Sequence, residues 1–431
     1  MATPPLALLN ARLLDPATET DTRGGVLIDK GKILDWGAHI TKDNIPDGSE
    51  IIDAGGLCLS PGLVDAHAYL CEPGKEHRET MASAGMAAAA GGVTTINAFP
   101  ATEPVIDDPA IVEMVLRRAK SRSAVNVVVT AALTKGLEGR EMAEFGLLSE
   151  AGAVAFSDGQ FAIGDINLMR RALAYSVMFE RPVIVHAEDP GLAASGVMTG
   201  GRTATFMGLK SIPACAEAIL VERDIRLVRM TGARWHAAHL STRDALDTIR
   251  RAKNDGLNVT AGTAPHYHAL NDLELGEYRT FARVSPPLRE ESERLAVIEG
   301  IKDGTIDVIS SQHLPQSADS KRVPFAQAKP GVIGLETMLP VSLRLYHNGD
   351  VSLLRLLHTM TVAPAKLLGL DAGALKKGAA ADLILFDTEK PWQVNGDDLL
   401  SKSKNTAFDG HLLQGRVVRT LVSGKTVFER S

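Results

Sequence analysis

The apolar positions change their spacing along the chain. Over the first ~55 residues, short runs at Leu6–Leu14, Gly25–Asp29 and Lys32–Gly37 alternate as strands do, broken by Asp15-Pro16 and by Asp29-Lys30-Gly31. The same texture returns after residue 370 in Ala381–Asp387, Gly415–Val422 and Lys425–Glu429. In between, β-branched runs alternate with helical patterns, the signature of βα units. Eight runs read as parallel strands: Leu63–His67, Val93–Ala98, Val125–Thr130, Ala153–Asp158, Pro182–His186, Trp235–His239, Asn258–Gly262 and Ile306–Ser310. Arg78–Ala90, Ile166–Phe179, Thr242–Lys253 and Glu290–Lys302 read as helices among them. The pattern predicts an α/β fold, a (β/α)8 TIM barrel with a small composite β-sandwich built from both termini. The expected division is 1–56 and 369–431 for the sandwich and 57–368 for the barrel.

Barrels of this kind place reactive groups at the carboxyl ends of their strands. His67, Asp158, His186, His239 and His313 fall at or just past the ends of the first, fourth, fifth, sixth and eighth predicted strands. One histidine at a strand end is usually structural; five polar residues at matching ends point to a present or former metal site.

Length and charge narrow the picture. With 431 residues the chain exceeds the ~250–300 that one core serves, so a second unit is expected. Charged residues balance at 46 Lys+Arg against 52 Asp+Glu, and no basic run stands out, which disfavours nucleic acid and anionic membranes. No apolar run reaches the ~18–20 residues of a membrane helix. The start lacks the pattern of a signal peptide, and three cysteines without a CxxC suit a reducing compartment. A cytoplasmic protein is expected.

The motifs are more specific than the composition. Pro61–Gly74 (PGLVDAHAYLCEPG), Ala87–Thr95 (AAAAGGVTT), Phe99–Val105 (FPATEPV), Ala153–Gly159 (AVAFSDG), Val185–Asp189 (VHAED), Ala238–Thr242 (AHLST), Arg283–Arg289 (RVSPPLR), Gly331–Pro340 (GVIGLETMLP) and Lys377–Asp387 (KGAAADLILFD) occur in this order. Together they resemble the dihydroorotase family of the amidohydrolase superfamily over nearly the whole chain. The family's first motif is His-x-His-x-Arg-Glu-Pro-Gly. Here the first His is kept as His67, while Tyr69 and Cys71 stand for the second His and the Arg. On the eighth strand Gln312 replaces the family's Asp, His313 follows it, and Gln316 replaces a further His.

The resemblance implies one zinc on the His-x-His pair and the eighth-strand Asp, and a second on the fourth-strand Asp and the fifth- and sixth-strand His. The first set is reduced to His67; the second, Asp158, His186 and His239, is complete, so at most one zinc ion is expected. In the family the eighth-strand Asp takes and returns the proton of the attacking water, a contribution of ~10²–10⁴-fold. A carboxamide at Gln312 does not titrate near neutrality. The substrate carboxylate is gripped in the family by an Arg and an Asn, here Cys71 and Ala101, and neither offers a comparable donor. Gln312, Tyr69, Cys71 and Ala101 are thus degenerate catalytic positions. His313 and Ser285, the latter in place of an Asn, are the candidate ligand-binding residues. Residues 315–330 are expected to form the mobile loop that covers substrate in active relatives.

Dihydroorotase-like proteins with degraded sites are known to assemble with aspartate carbamoyltransferase in pyrimidine synthesis. The resemblance therefore implies an inactive structural or regulatory partner of that transferase, and a homo-oligomer. The alternative is a divergent but active zinc-dependent cyclic amidohydrolase, such as a dihydroorotase.

Overall fold

A computed structural model describes residues 4–430; residues 1–3, which open the chain, and 431 lie outside the described residues. Eight parallel strands form the central sheet in chain order: Leu63–Ala68, Val93–Ala98, Asn126–Ala131, Ala153–Phe156, Val183–Val185, Trp235–Ala237, Val259–Thr263 and Val308–Ile309. Each coincides with a run predicted from sequence, with ends shifted by up to a few residues. A parallel bridge between Ala68 and His313 brings the last strand back to the first and all but closes the barrel. Short runs of Val, Ile and Ala suit these strands because they are buried on both faces.

A second sheet draws on both ends of the chain. Leu6–Asp15, Thr20–Asp29, Lys32–Gly37, Glu50–Asp53 and Cys58–Pro61 supply one part; Leu383–Gln393, Leu412–Val422 and Lys425–Glu429 supply the rest. The two parts join where Cys58–Pro61 pairs antiparallel with Leu383–Phe386. Leu8, Leu13, Val26, Leu59, Leu383 and Leu421 share one apolar core of this sheet. Glu50–Asp53 and Cys58–Pro61 escaped the sequence reading; both are four residues long, too short for alternation to declare itself.

The helix Met81–Ala90 shows how sequence sets packing. Thr80 caps it, accepting from the Ser83 N–H while the Ser83 hydroxyl accepts from the Thr80 N–H. It starts three residues later than predicted, because Lys75–Thr80 is spent on a turn. Ala84 and Ala87–Ala90 are all buried, and the exposed positions, Ala82 and Met86, are themselves apolar, so the helix has no polar face to give it an amphipathic stripe. The reason is its place between the barrel and the second sheet, where Thr420 donates its hydroxyl to the Ala89 carbonyl at 2.6 Å.

Candidate active site

Three histidines meet at the carboxyl ends of the barrel strands. His186 Nδ1 lies 3.3 Å from His239 Nε2, so one of the two carries the shared proton. His67 stacks on Phe99 at 3.7 Å between ring centroids and lies 4.6 Å from the His239 ring. Burial, reinforced by neighbouring histidines, holds His67 and His239 neutral, well below the ordinary imidazole range. Both nitrogens of His67 and Nδ1 of His239 are buried without a partner.

Asp158 does not join them. Its Oδ1 accepts from the N–H groups of Leu133 and Thr134, each at 2.9 Å, and Oδ2 accepts from the Thr134 hydroxyl. Burial raises its pKa to about 6, opposed by those bonds. A catalytic zinc takes three protein ligands at ~2.0–2.2 Å. Among the described residues no three His, Cys, Asp or Glu side chains are grouped to hold an ion. The zinc set expected from sequence, Asp158 with His186 and His239, and His67 as a remnant, is therefore not assembled. The Asp is spent on the loop at Leu133–Thr134, and the two imidazoles face each other. Two of the three buried imidazoles, His67 and His239, do offer unpartnered nitrogens, yet without the carboxylate these residues do not fit a catalytic zinc.

The eighth strand explains the rest. Gln312 has a left-handed backbone, φ 47°, uncommon for a side chain of its size. Its Nε2 donates to the Ser285 carbonyl at 2.7 Å, and its Oε1 is buried without a partner. Gln312 thus lies against Ser285, beside His266 and Tyr267. The left-handed turn sends the next side chain outward. His313 is fully buried behind the barrel wall, its Nε2 3.4 Å from Glu79 Oε2 and its Nδ1 accepting from the Gly334 N–H at 3.2 Å. The expectation that His313 binds ligand is corrected: it ties the strand to the helix start at Glu79.

Ser285 does face the site, its hydroxyl 3.3 Å from His186 Nε2 and 3.4 Å from Glu188 Oε2. Cys71, also left-handed at φ 60°, is raised to about 12 by burial and by Glu79, so its thiol is inert. Burial likewise raises the Tyr69 phenol, whose hydroxyl lacks a partner. Tyr69, Cys71 and Ala101 line a cavity of about 480 Å³ at the barrel mouth. Residues 315–330 lie against that mouth and are tied down rather than loose. Lys321 is buried and donates to the Thr280 carbonyl at 3.0 Å, and Thr280 donates its hydroxyl to the Lys321 carbonyl at 2.8 Å.

One group at the site was missed in the sequence. Glu188 lies 3.6 Å from His186 Nε2 and 3.9 Å from Arg289, which in turn reaches Glu217 at 3.7 Å. Burial pushes Glu188 up, but His186, Arg289 and Ser285 together outweigh it, and the carboxyl is held low. Its signal was adjacency: it follows His186 by two residues in VHAED, and Arg289 ends the RVSPPLR segment.

Two family models match the chain, Dihydro-orotase-like over residues 56–245 and Amidohydrolase family over residues 333–428. Among solved structures, the L-hydantoinase (dihydropyrimidinase) of Arthrobacter aurescens is similar at a TM-score of 0.89 and 26% identity, covering 99% of this chain and 96% of that one. A D-hydantoinase at 22% identity and a TM-score of 0.84 shares the fold. Among curated proteins, the dihydroorotase of Pelobacter propionicus is 44% identical over 99% of this chain and 100% of its own length. That of a Wolbachia from Brugia malayi is 41% identical over 99% and 96%. With that identity along almost its entire length, on the barrel and motifs described above, the chain belongs to the dihydroorotase family of amidohydrolases.

Proposed function

We propose that this protein is a non-catalytic member of its family, a structural or regulatory partner of aspartate carbamoyltransferase in pyrimidine synthesis. The observation that carries the reading is Gln312. An amide stands where hydrolysis needs a titrating carboxylate, and its Nε2 is fixed on the Ser285 carbonyl. Asp158 and the histidines, held apart, add to the deficit. A homo-oligomer in the cytoplasm completes the proposal; no helix among the described residues is long and apolar enough to cross a membrane.

The test is co-expression with aspartate carbamoyltransferase followed by size-exclusion chromatography and a transferase assay. Co-elution with altered transferase activity is expected. Separate elution with unchanged activity sinks the partnership.

A second reading, an active zinc-dependent cyclic amidohydrolase, is favoured by the full-length similarity to proteins named dihydroorotase. It would rest on Glu188, the carboxylate beside His186, since His313 faces away. Turnover of dihydroorotate after zinc reconstitution decides between the two; the first reading expects none above a heat-treated control.

A further inference from the structure

Residues 394–411, between the strands Leu383–Gln393 and Leu412–Val422, leave the second sheet and run onto the barrel. Val394, Leu399, Ala407 and Phe408 are buried in the core that the barrel strands share, apart from the sandwich core around Leu59. Two carboxylates of the barrel hold the incoming end. Glu336 accepts from the Leu400 N–H at 2.6 Å, and Glu79 accepts from the Ser401 hydroxyl and from the Lys402 N–H at 3.1 Å. The Ser403 hydroxyl donates to the Arg78 carbonyl at 2.7 Å. This anchoring delivers Asn405, 2% exposed, to the root of the loop 315–330.

Asn405 spends both amide donors and an acceptor on that root. Nδ2 donates to the Gly331 carbonyl at 3.0 Å and to the Leu314 carbonyl at 3.3 Å, and Oδ1 accepts from the Gln316 N–H at 3.1 Å. Its own carbonyl accepts from the Ile333 N–H at 3.2 Å. The chain enters the loop through Leu314 and Gln316 and leaves it through Gly331 and Ile333, so one residue grips both stems. The stems hold each other less firmly. The Leu314 N–H bonds to the Val332 carbonyl at 2.6 Å, and beyond that pair they exchange no backbone hydrogen bond among the described residues. Gln316 adds one side-chain link, from its Nε2 to the Pro330 carbonyl at 2.8 Å. Leu314, Gln316, Lys329 and Pro330 all line the cavity at the barrel mouth.

From this geometry we propose that residues 394–411 form a clasp with Asn405 as its positioning residue: by joining both stems of the loop 315–330, Asn405 keeps that loop closed on the barrel mouth. Entry to the mouth is thereby governed from the second sheet. The inference stands with either reading of the site's chemistry, because it concerns access and not turnover.

Hydrogen–deuterium exchange of the full chain, resolved by peptide mass, tests it. Asn405→Ala removes the grip, and Asn405→Asp keeps the acceptor but turns a carboxylate onto two carbonyls. In both, exchange over 316–330 should rise at least about tenfold while the strand Val93–Ala98 keeps its protection. A side chain that merely filled the core would loosen loop and strand alike. Cys71 lines the same cavity, so its alkylation by iodoacetamide should quicken in parallel. Asn405 is buried, so Ser403→Ala, which releases one anchor of the clasp, decides if neither variant folds; loop exchange at least about threefold faster is then expected. Unchanged loop exchange in the folded variants overturns the proposal. So does a rise shared equally by Val93–Ala98, or a faster loop with Cys71 alkylation unaltered.

Discussion

At the scale of single residues, the difference between a family site and this one is a matter of where side chains are committed. Gln312→Asp supplies the missing carboxylate, yet Asp158 remains bonded to Leu133 and Thr134. The single variant should therefore show no dihydroorotate turnover in a zinc-supplemented assay. The triple change Gln312→Asp, Tyr69→His and Cys71→Arg restores the family's groups, and metal stoichiometry by mass spectrometry reports whether the first zinc position reassembles. Elsewhere, burial raises Asp224 to about 6, opposed by Arg223 and by the Trp235 indole N–H. A carboxyl with a raised folded pKa binds its proton more tightly in the native state. Its contribution is present below the unfolded pKa of ~3.9 and is lost as pH rises through about 6, a swing of about 3 kcal/mol. Asp224→Asn should flatten urea-derived stability between pH 4 and 6 relative to the wild type.

At the scale of elements, packing leaves little room for change. Phe145, on the helix Phe145–Glu150, stacks on Phe156 of the fourth barrel strand at 4.0 Å, and both rings are fully buried. Phe145→Ala should cost about 3–5 kcal/mol in chemical denaturation. Gly91, which ends the helix Met81–Ala90, approaches the Leu335 carbonyl so closely that a Cβ would lie 2.0 Å from it. Gly91→Ala should destabilise by about 1–3 kcal/mol or more, since backbone cannot yield as a side chain does. Strands were the most legible elements, because runs such as Val93–Ala98 are short, β-branched and bounded by glycine. Side-chain direction was the least legible. His186 and His239 met as their strand ends implied, whereas Asp158 turned to a neighbouring loop and His313 left the pocket. The period-2 rule for strands does not apply past a left-handed residue, and nothing in SSQHLPQ declares that Gln312 is one. Glu188 and Arg289 went unremarked because their pairing spans elements that only the folded barrel brings together.

For the whole molecule, the barrel depends on a sheet that neither end of the chain completes alone. Leu383 and Leu385 are buried in the same core as Leu13 and Leu59. A chain truncated after Ala381 should fail to fold, seen as loss of near-ultraviolet circular dichroism or as insoluble expression. The Cys58–Pro61 strand would keep an open edge and its apolar face. That shared sheet also bears on how the chain is made. Ser60 leaves the ribosome early, but its partner Ile384 is synthesised roughly 320 residues later. Throughout that interval the nascent amino-terminal strands offer a sticky, half-built edge to one another and to neighbouring polysomes. Yield in cells should thus follow translation speed and the supply of chaperones more closely than the stability of the finished protein.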